Sequence, residues 1–291
     1  MSRTVKAYAK INLFLDVTGI LADGYHSVNT VMQTVSLHDD VTVSLREDGK
    51  VVALCNLPSV PSDEKNIAVR AAKLFFGKIG KAYGALIEIK KNIPMAAGLA
   101  GGSADAAATL IALNDLMGSP LSIRDLCLLG STLGADVPFC IMCGTGFADG
   151  KGDILHECGQ LKEGMIFVIG CGGEGVSTPW AYKLLDIEFN SFSDYDPQNV
   201  NEIIKALESE EKFNFCDAMF NIFESPVSRK RHAVEAIKAK MRANFAVCSM
   251  MSGSGPAVFG VFEKLSDAEK AARNIKELGY FSSVAFSVAK R

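Results

Sequence analysis

The chain has 291 residues and a formal net charge of −3, with 48% hydrophobic and 22% charged residues. This is the composition of a folded protein with a sizeable core, and the length is sufficient for two ordinary domains. The basic residues do not gather into the patch that a nucleic-acid-binding protein needs, so we expect no nucleic-acid partner.

No membrane segment is expected either. Arg3, Lys6 and Lys10 interrupt the apolar residues at the N-terminus, so no signal-peptide core is present. The long uncharged window at 245–262 contains SMMSGSGP, and its glycine, serine and proline residues favour a loop over a membrane helix. We therefore expect a cytoplasmic protein.

The eight cysteines are scattered, and Cys140 and Cys143 form the one CxxC pair. A zinc site needs a second pair of ligands, which the sequence does not offer at a suitable spacing. Because the pair lies in the apolar run VPFCIMCG, we interpret both residues as buried, reduced thiols.

The first half of the chain reads as strands and helices around a hairpin. Asp23 and Gly24 lie between two alternating apolar runs and predict the hairpin turn. The period of the apolar residues predicts the other elements. They are strands at 5–17, 30–36, 41–45 and 86–90, and helices at 66–78, 103–117 and 122–134.

The pattern changes after about residue 150. Ser266 and Glu269 there predict a capping box at the start of a helix. The predicted strands are 165–169, 257–262 and 283–289, and the predicted helices are 180–185, 199–207, 227–242 and 266–278. This order favours a split sheet covered on one side. We therefore predict two α+β domains, residues 1–150 and residues 151–291.

The stretch PMAAGLAGGSADAAATL, at 94–110, is the most informative segment. The spacing of Gly98, Gly101 and Gly102 does not fit a dinucleotide-binding loop, and no lysine follows them as in a Walker loop. Small residues let backbone amides turn inward, and a helix beginning at Ser103 adds its unpaired amides. The stretch predicts a phosphate-binding loop, and a close-packing hinge is the alternative.

The same stretch resembles the second motif of the GHMP kinases, P-x-x-x-G-L-[GA]-[GS]-[GS]-S. KAYAKINLFLDV at 6–17 and SMMSGSGPAVFGVF at 249–262 resemble the first and third motifs. Within the superfamily, ADGYH, GLAGGSADAA, LGADVPF and FADGKGDIL are similar to the family of 4-diphosphocytidyl-2-C-methyl-D-erythritol kinases. The resemblance implies an α+β GHMP kinase fold with a ribosomal protein S5 domain 2-like N-terminal domain and a ferredoxin-like C-terminal domain.

The resemblance also implies an activity, which is ATP-dependent phosphorylation of the substrate's 2-hydroxyl group in the non-mevalonate isoprenoid pathway. In that family Asp136 is the general base, Lys10 lies beside it, and Asn12 orients the acceptor. From the residues alone, a helix N-cap is the favoured interpretation of Asp136. The segment that carries Lys10 is, from the residues alone, equally an edge strand with one solvated face.

The cytidine end of the substrate is expected at aromatic residues. By resemblance Tyr25 stacks on the cytosine, His26 bonds its edge, and Tyr182 closes the sandwich, with Thr178 as a polar contact. Trp180 is the alternative to Tyr182. From the residues alone, His26 is a solvated hairpin histidine.

The ATP site is expected around the glycine-rich stretch. By resemblance, Asn66 and Lys91 lie near the adenine of ATP. The other residues that bind ATP by resemblance are Pro94, Met95, Ala96, Ala97, Gly98, Leu99, Ala100, Gly101, Gly102, Ser103 and Ala104. Mg²⁺ is expected to be held by the ATP phosphates and water, with no protein ligand assigned. Asp105 would repel phosphate unless it faces away or helps to hold a metal. The Cβ of Ala100 predicts that this position avoids positive φ.

Other functions were weighed against this one. Another GHMP kinase, acting on homoserine or a mevalonate-type alcohol, would need neither DGYH nor an aromatic residue at 182. A regulatory protein that binds nucleotide without turnover would not need both Lys10 and Asp136. A dehydrogenase is excluded by the glycine spacing. The expected partner is a small molecule, and the chain is expected to be a monomer or a homodimer.

Overall fold

A computed structural model describes residues 1–192 and 195–291. The strands are β1 (Ser2–Ile20), β2 (His26–Arg46), β3 (Val51–Cys55), β4 (Gly84–Lys90), β5 (Thr145–Asp149), β6 (Ile154–His156), β7 (Ile166–Cys171), β8 (Phe220–Asn221), β9 (Cys248–Met251), β10 (Val258–Phe262) and β11 (Phe281–Phe286). The α-helices are α1 (Ile67–Ile79), α2 (Gly101–Leu116), α3 (Ile123–Ser131), α4 (Asp136–Met142), α5 (Thr178–Glu188), α6 (Val200–Glu208), α7 (Glu224–Ser228), α8 (Ala233–Ala243) and α9 (Leu265–Lys276).

The first sheet is built around a long antiparallel hairpin of β1 and β2. Its order is β3-β4-β2-β1-β8, with β5 paired to β2 and β6 paired to β5. The predicted turn at Asp23 and Gly24 connects the two long strands and is confirmed. The two strands predicted at 30–36 and 41–45 are one strand, because residues 38–40 also pair with β1, beyond a register shift between Tyr8 and Lys10.

Helices α1 and α2 cover this sheet. Phe75 of α1 and Leu110 of α2 share one buried cluster with Val43 of β2 and Ile87 of β4. Asn66 caps α1 through its side chain, and Gly80 ends the helix in a left-handed conformation. Helix α2 therefore lies firmly against the sheet that carries β1.

The second sheet is antiparallel and has the order β11-β7-β10-β9. With α8 and α9 between strands, this is the ferredoxin-like order that the sequence predicted. Val168 of β7 packs with Ile237 and Ile275 of these helices, while its neighbour Phe167 faces the opposite cluster. The alternation follows the two-residue period of a strand.

The two sheets share a core. Phe167 and Phe259 of the second sheet belong to the same buried cluster as Ile11 and Leu13 of β1. In addition, β8 pairs in parallel with β1 at Phe14. The strand that carries Lys10 is therefore in direct contact with the C-terminal part of the chain.

Several local predictions are corrected. The capping box at Ser122 is confirmed, but α3 ends at Ser131 rather than at 134. The capping box at Ser266 is wrong, because α9 begins one residue earlier, with Lys264 at the cap position and no side-chain cap. The helix predicted at 227–242 is two helices, α7 and α8. The elements that were not predicted are β3, α4, β5, β6, β8 and β9.

The cysteines are partly as expected. Cys140 and Cys143 are buried and free. Cys216 and Cys248 form a disulfide between a 3₁₀ turn and β9, which the spacing did not indicate. Among the described residues, none of the helices combines the length and the apolar character needed to cross a membrane.

Candidate active site

A cavity of about 1170 Å³ is lined by residues from both halves of the chain. Most of the predicted site residues line it. These are Lys10, Asn12, Tyr25, His26, Asn66, Lys91, residues 94–102, Asp136, Thr178 and Tyr182. Ser103, Ala104 and Trp180 are absent from its wall, and Ala104 is buried in α2.

The three motif segments meet at one hydroxyl group. The backbone N–H of Asn12 donates to Ser252 Oγ at 3.3 Å, and this hydroxyl donates to the carbonyl of Gly98 at 3.0 Å. A Cβ on Gly98 would lie 2.1 Å from the Ser252 carbonyl oxygen, so only glycine allows the two loops to approach this closely. Segments 6–17, 94–103 and 249–262 therefore form one unit.

The carbonyl groups of the glycine-rich loop are held by its neighbours. The N–H groups of Lys10, Val176 and Ala257 donate to the carbonyls of residues 99, 96 and 97 at 3.1, 3.0 and 3.1 Å. The amides of residues 101–103 make no hydrogen bond within the described part of the chain, and Ala104 N–H is the first to bond in α2. The loop thus offers unpaired donors at a helix N-terminus.

Helix α2 begins two residues before the predicted start at Ser103, because Ala100 turns the chain in a left-handed conformation with φ 55° and ψ 28°. The prediction that its Cβ avoids positive φ is wrong. A left-handed alanine costs about 1–2 kcal/mol. The hydrogen bonds that tie the preceding carbonyls to three other segments hold the loop in this conformation.

The two predicted catalytic side chains lie together. Lys10 Nζ is 4.0 Å from Asp136 Oδ1, and it donates to Asn12 Oδ1 at 2.7 Å. Asn12 Nδ2 donates to Thr30 Oγ1 at 2.8 Å, which fixes the orientation of the amide. Lys10 is buried, whereas the Asp136 side chain is 37% exposed. The ammonium group of Lys10, fixed in position by its hydrogen bond, thus faces the Asp136 carboxylate, which is open to the cavity.

Asp136 is the first residue of α4, and Ala135 rather than Asp136 occupies the cap position. An acidic residue in the first turn of a helix interacts favourably with the positive end of the helix dipole. Pro138 lies in the first turn, where its missing N–H leaves no bond unmade. The sequence LGADVPF therefore begins a new short helix that aims Asp136 at the cavity.

Lys91 and Asn66, the two candidates for contact with adenine, are both engaged in structural contacts. Lys91 Nζ donates to Asp39 Oδ2 and to Asp105 Oδ2, the latter at 2.8 Å. Asn66 Oδ1 accepts from Ala68 N–H and caps α1. Asp39 was not singled out from the sequence, because Asp39 and Asp40 lie between two predicted strands and show no distinctive pattern.

In the cluster of Lys91, Asp39 and Asp105, burial and neighbouring charges shift the pKa values of Lys91 and Asp105. Burial lowers the pKa of Lys91, but the charges of Asp105 and Asp39 outweigh it and raise that pKa overall. Burial raises the pKa of Asp105 to about 7, against the opposing charge of Lys91. Asp105 Oδ1 is buried and has no hydrogen-bond partner among the described residues. Asp105 thus lines the cavity beside the glycine-rich loop, with its charge paired to a buried lysine.

The opposite end of the cavity is aromatic. Tyr25 is exposed, and Lys151 Nζ lies 4.1 Å from its ring centroid. His26 stacks on Tyr182 with ring centroids 4.4 Å apart. Trp180 instead lies under the guanidinium of Arg231, at 5.1 Å, outside the cavity wall.

The hydroxyl of Thr178, at the start of α5, lies 3.3 Å from that of Ser254. The helix that carries Tyr182 is therefore joined to the third motif segment. Sequence reasoning also missed Asp186, whose carboxylate lies 2.8 Å from His26 Nε2. Its position four residues after Tyr182 was the available signal, since residues at i and i+4 share a helix face.

Comparison with known proteins places the chain in a family. Residues 66–144 match the GHMP kinases N terminal domain, and residues 199–280 match the GHMP kinases C terminal domain. A 4-diphosphocytidyl-2-C-methyl-D-erythritol kinase of Clostridium novyi (strain NT) is 40% identical over 271 residues, which is 93% of this chain and 95% of the relative. The chain belongs to the 4-diphosphocytidyl-2-C-methyl-D-erythritol kinase family.

Solved structures agree with this membership. A crystal structure of 4-(cytidine 5'-diphospho)-2C-methyl-D-erythritol kinase has a TM-score of 0.79 and 32% identity, with 99% of each chain covered. Homoserine kinase from Cytophaga hutchinsonii has a TM-score of 0.77 at 20% identity, over 99% of this chain and 95% of the other, and shows the fold alone. The chain has the two-domain GHMP kinase fold and is a small-molecule kinase that uses ATP.

Proposed function

We propose that this member of the 4-diphosphocytidyl-2-C-methyl-D-erythritol kinase family transfers the γ-phosphoryl group of ATP to the 2-hydroxyl of 4-diphosphocytidyl-2-C-methyl-D-erythritol. The products are the 2-phosphate and ADP, and the pathway is the non-mevalonate route to isoprenoids. The observation that carries the proposal is the Lys10–Asp136 pair, 4.0 Å apart, in a cavity that also contains the glycine-rich loop and the His26–Tyr182 stack.

The chemistry assigned to the pair follows from their charges. Asp136 accepts the proton of the 2-hydroxyl as its oxygen attacks the γ-phosphorus. Lys10 lies beside that carboxylate and offsets charge on the transferred phosphoryl group. Asn12, whose amide is fixed by Lys10 and Thr30, orients the acceptor alcohol. Phosphoryl transfer depends mainly on such positioning and neutralisation.

The ATP phosphates bind the unpaired amides of residues 101–103 and the loop of residues 94–100. In this proposal Lys91 and Asn66 support the walls of the nucleotide site and do not bind the nucleotide through their side chains. Both side chains are already hydrogen-bonded within the protein. This modifies the expectation that they contact the adenine directly.

Mg²⁺ accompanies the triphosphate in this proposal. The described residues contain no group of three or more metal-ligating His, Cys, Asp or Glu side chains. The proposal assigns the ion no protein ligand and holds it mostly by phosphate oxygens and water, which Mg²⁺ prefers. When bound, the ion neutralises charge on the β- and γ-phosphates.

The cytidine end of the substrate occupies the aromatic end of the cavity, with Tyr25 and Tyr182 as stacking surfaces and His26 at the base edge. Thr178 supplies a polar contact. Residues 1–150 form the ATP-binding domain in this proposal, and residues 151–291 complete the substrate site. The proposed state is a cytoplasmic monomer or homodimer without a nucleic-acid partner.

The test is a substrate panel with purified protein. ADP release is measured with ATP and each of three acceptors, the cytidyl substrate, homoserine and mevalonate. Turnover that is specific to the cytidyl substrate supports the proposal. Turnover of homoserine or mevalonate alone contradicts it and favours another GHMP kinase, and no ADP release with any acceptor favours the regulatory alternative.

A further inference from the structure

His26 and Asp186 come from the N-terminal and the C-terminal domain, and they are in contact at the aromatic end of the cavity. His26 is the first residue of β2, and Asp186 lies on α5, one turn after Tyr182. His26 Nε2 lies 2.8 Å from Asp186 Oδ1, with the histidine side chain 12% exposed and the carboxylate 37% exposed. Both residues line the cavity.

The contact determines which ring nitrogen carries the hydrogen. An ionised carboxylate accepts hydrogen bonds and donates none, so His26 Nε2 must be the donor. In a neutral imidazole the other nitrogen, Nδ1, then has a free lone pair. His26 Nδ1 has no hydrogen-bond partner among the residues that the structure describes. The face of the ring is covered by Tyr182, so the ring edge remains for a ligand.

We propose that Asp186 is a positioning residue that fixes His26 as a hydrogen-bond acceptor for the 4-amino group of the pyrimidine, and so selects cytosine over uracil. This inference rests on the proposed function. The cytosine amino group donates a hydrogen bond, whereas the oxygen at the same position of uracil can only accept one. A site whose buried polar group loses its partner rejects the wrong ligand strongly.

The experiment compares kcat/KM for the cytidyl substrate with kcat/KM for its uridine diphosphate analogue. In wild-type protein we expect the cytidyl substrate to be strongly preferred. In Asp186→Ala we expect this preference to fall at least about tenfold, because His26 is free to place its hydrogen on either nitrogen. The KM for ATP is expected to stay within about twofold of the wild-type value.

Two further variants separate positioning from a structural role. Asp186→Asn can still accept from His26 Nε2 through its carbonyl oxygen, so it should retain part of the preference. Glu188→Ala is the matched control, because Glu188 lies on the same helix and pairs with Arg229 instead. We expect its base preference to equal that of wild-type protein.

A double-mutant cycle completes the test. In a His26→Ala background, Asp186→Ala should change the preference no further, since the residue acts through His26. An unchanged preference in Asp186→Ala, or an equal loss for both nucleotides, overturns this inference while the proposed function stands. If wild-type protein does not phosphorylate the cytidyl substrate, the proposed function fails and this inference fails with it.

Discussion

The Lys10–Asp136 pair is asymmetric, and this determines what each residue contributes. Lys10 is buried and hydrogen-bonded to Asn12, so its position is fixed by the protein. Asp136 is part-exposed and has no bond closer than the 4.0 Å approach of Lys10 among the described residues. A carboxylate with free lone pairs beside a fixed cation is suited to accept a proton from a bound alcohol.

Asp136→Asn removes this acceptor while keeping the shape of the side chain. We expect kcat to fall by about 10²–10⁴-fold, the range typical of a lost general base. The affinity for a non-hydrolysable ATP analogue, measured by calorimetry, should change by less than about threefold, because the loop amides are untouched. Glu157→Gln, an exposed residue paired with Lys290, serves as the control. Near-normal turnover of Asp136→Asn would contradict the assignment.

The buried Asp105 predicts a pH effect on stability. Its pKa is raised from 3.8 to about 7 in the folded chain, mainly by burial. Between about pH 4 and 7, Asp105 therefore keeps its proton in the folded protein, whereas the same carboxyl group is ionised in the unfolded chain. The free energy of unfolding consequently falls as the pH rises through this window. The groups that face Asp105 are Lys91 and Asp39.

Asp105→Asn cannot titrate, so its free energy of unfolding should fall less steeply between about pH 4 and 7. Chemical denaturation at several pH values measures the slope. Asp115→Asn changes a carboxylate on the same helix that pairs with exposed Arg3, and it should keep the wild-type slope. Identical slopes for Asp105→Asn and wild-type protein would show that Asp105 is not the titrating group.

At the scale of elements, the loop at 94–100 approaches the loop at 252–256 closely, and this contact forms part of the proposed nucleotide site. Ser252 bonds to both Asn12 and Gly98, and the side chain of Asn221 donates to the carbonyls of Met251 and Gly253. These contacts hold the loops without any large side chain between them. The phosphate loop is therefore supported from the C-terminal half of the chain.

Gly98→Ala tests this support. The new methyl group would lie 2.1 Å from a backbone oxygen of Ser252, so the loops must separate. We expect the dissociation constant for an ATP analogue to rise at least about tenfold, the equivalent of about 1.4 kcal/mol.

Gly118→Ala is the matched control for that variant. Gly118 has nearly the same φ, +78° against +77°, but nothing lies within 4 Å of its added Cβ. It should lose only about 1–2 kcal/mol of stability from left-handed strain and keep its nucleotide affinity. Equal effects of the two substitutions on affinity would contradict the importance of the close approach.

The amino-acid sequence predicted the presence of helices and strands better than it predicted the residues at which they begin and end. The hairpin at Gly24 and the helix cap at Ser122 depend on neighbouring residues, and both were found. The left-handed Ala100 could not be predicted, because hydrogen bonds from distant segments hold the loop, and local preference favours glycine there. The same limit applies to α4, which is too short to show a helical period.

The residues of the candidate site were also predicted only in part from the sequence. The motif resemblance named Lys10, Asp136 and His26, and the structure brings them to one cavity. It did not name Asp186, and it did not indicate that Lys91 is paired with buried acids. Contacts between residues far apart in sequence decide those features, and one sequence does not reveal them.

At the scale of the whole molecule, the two sheets enclose the cavity because they share a core. The cluster that joins Phe167 and Phe259 to β1 holds the ferredoxin-like sheet against the strand that carries Lys10. The loop at 252–256 and the start of α5 then face the phosphate loop and Asp136 across the cavity. The proposed donor and acceptor substrates occupy opposite ends of this cavity.

The central claim concerns which hydroxyl group receives the phosphoryl group. The proton-coupled ³¹P spectrum of the product, formed from the cytidyl substrate and ATP, tests it most directly. The 2-carbon bears a methyl group and no hydrogen, so phosphorylation there predicts a phosphomonoester signal without three-bond coupling to a proton. A signal split into a doublet or triplet would place the phosphate on the 3- or 1-oxygen and contradict the account.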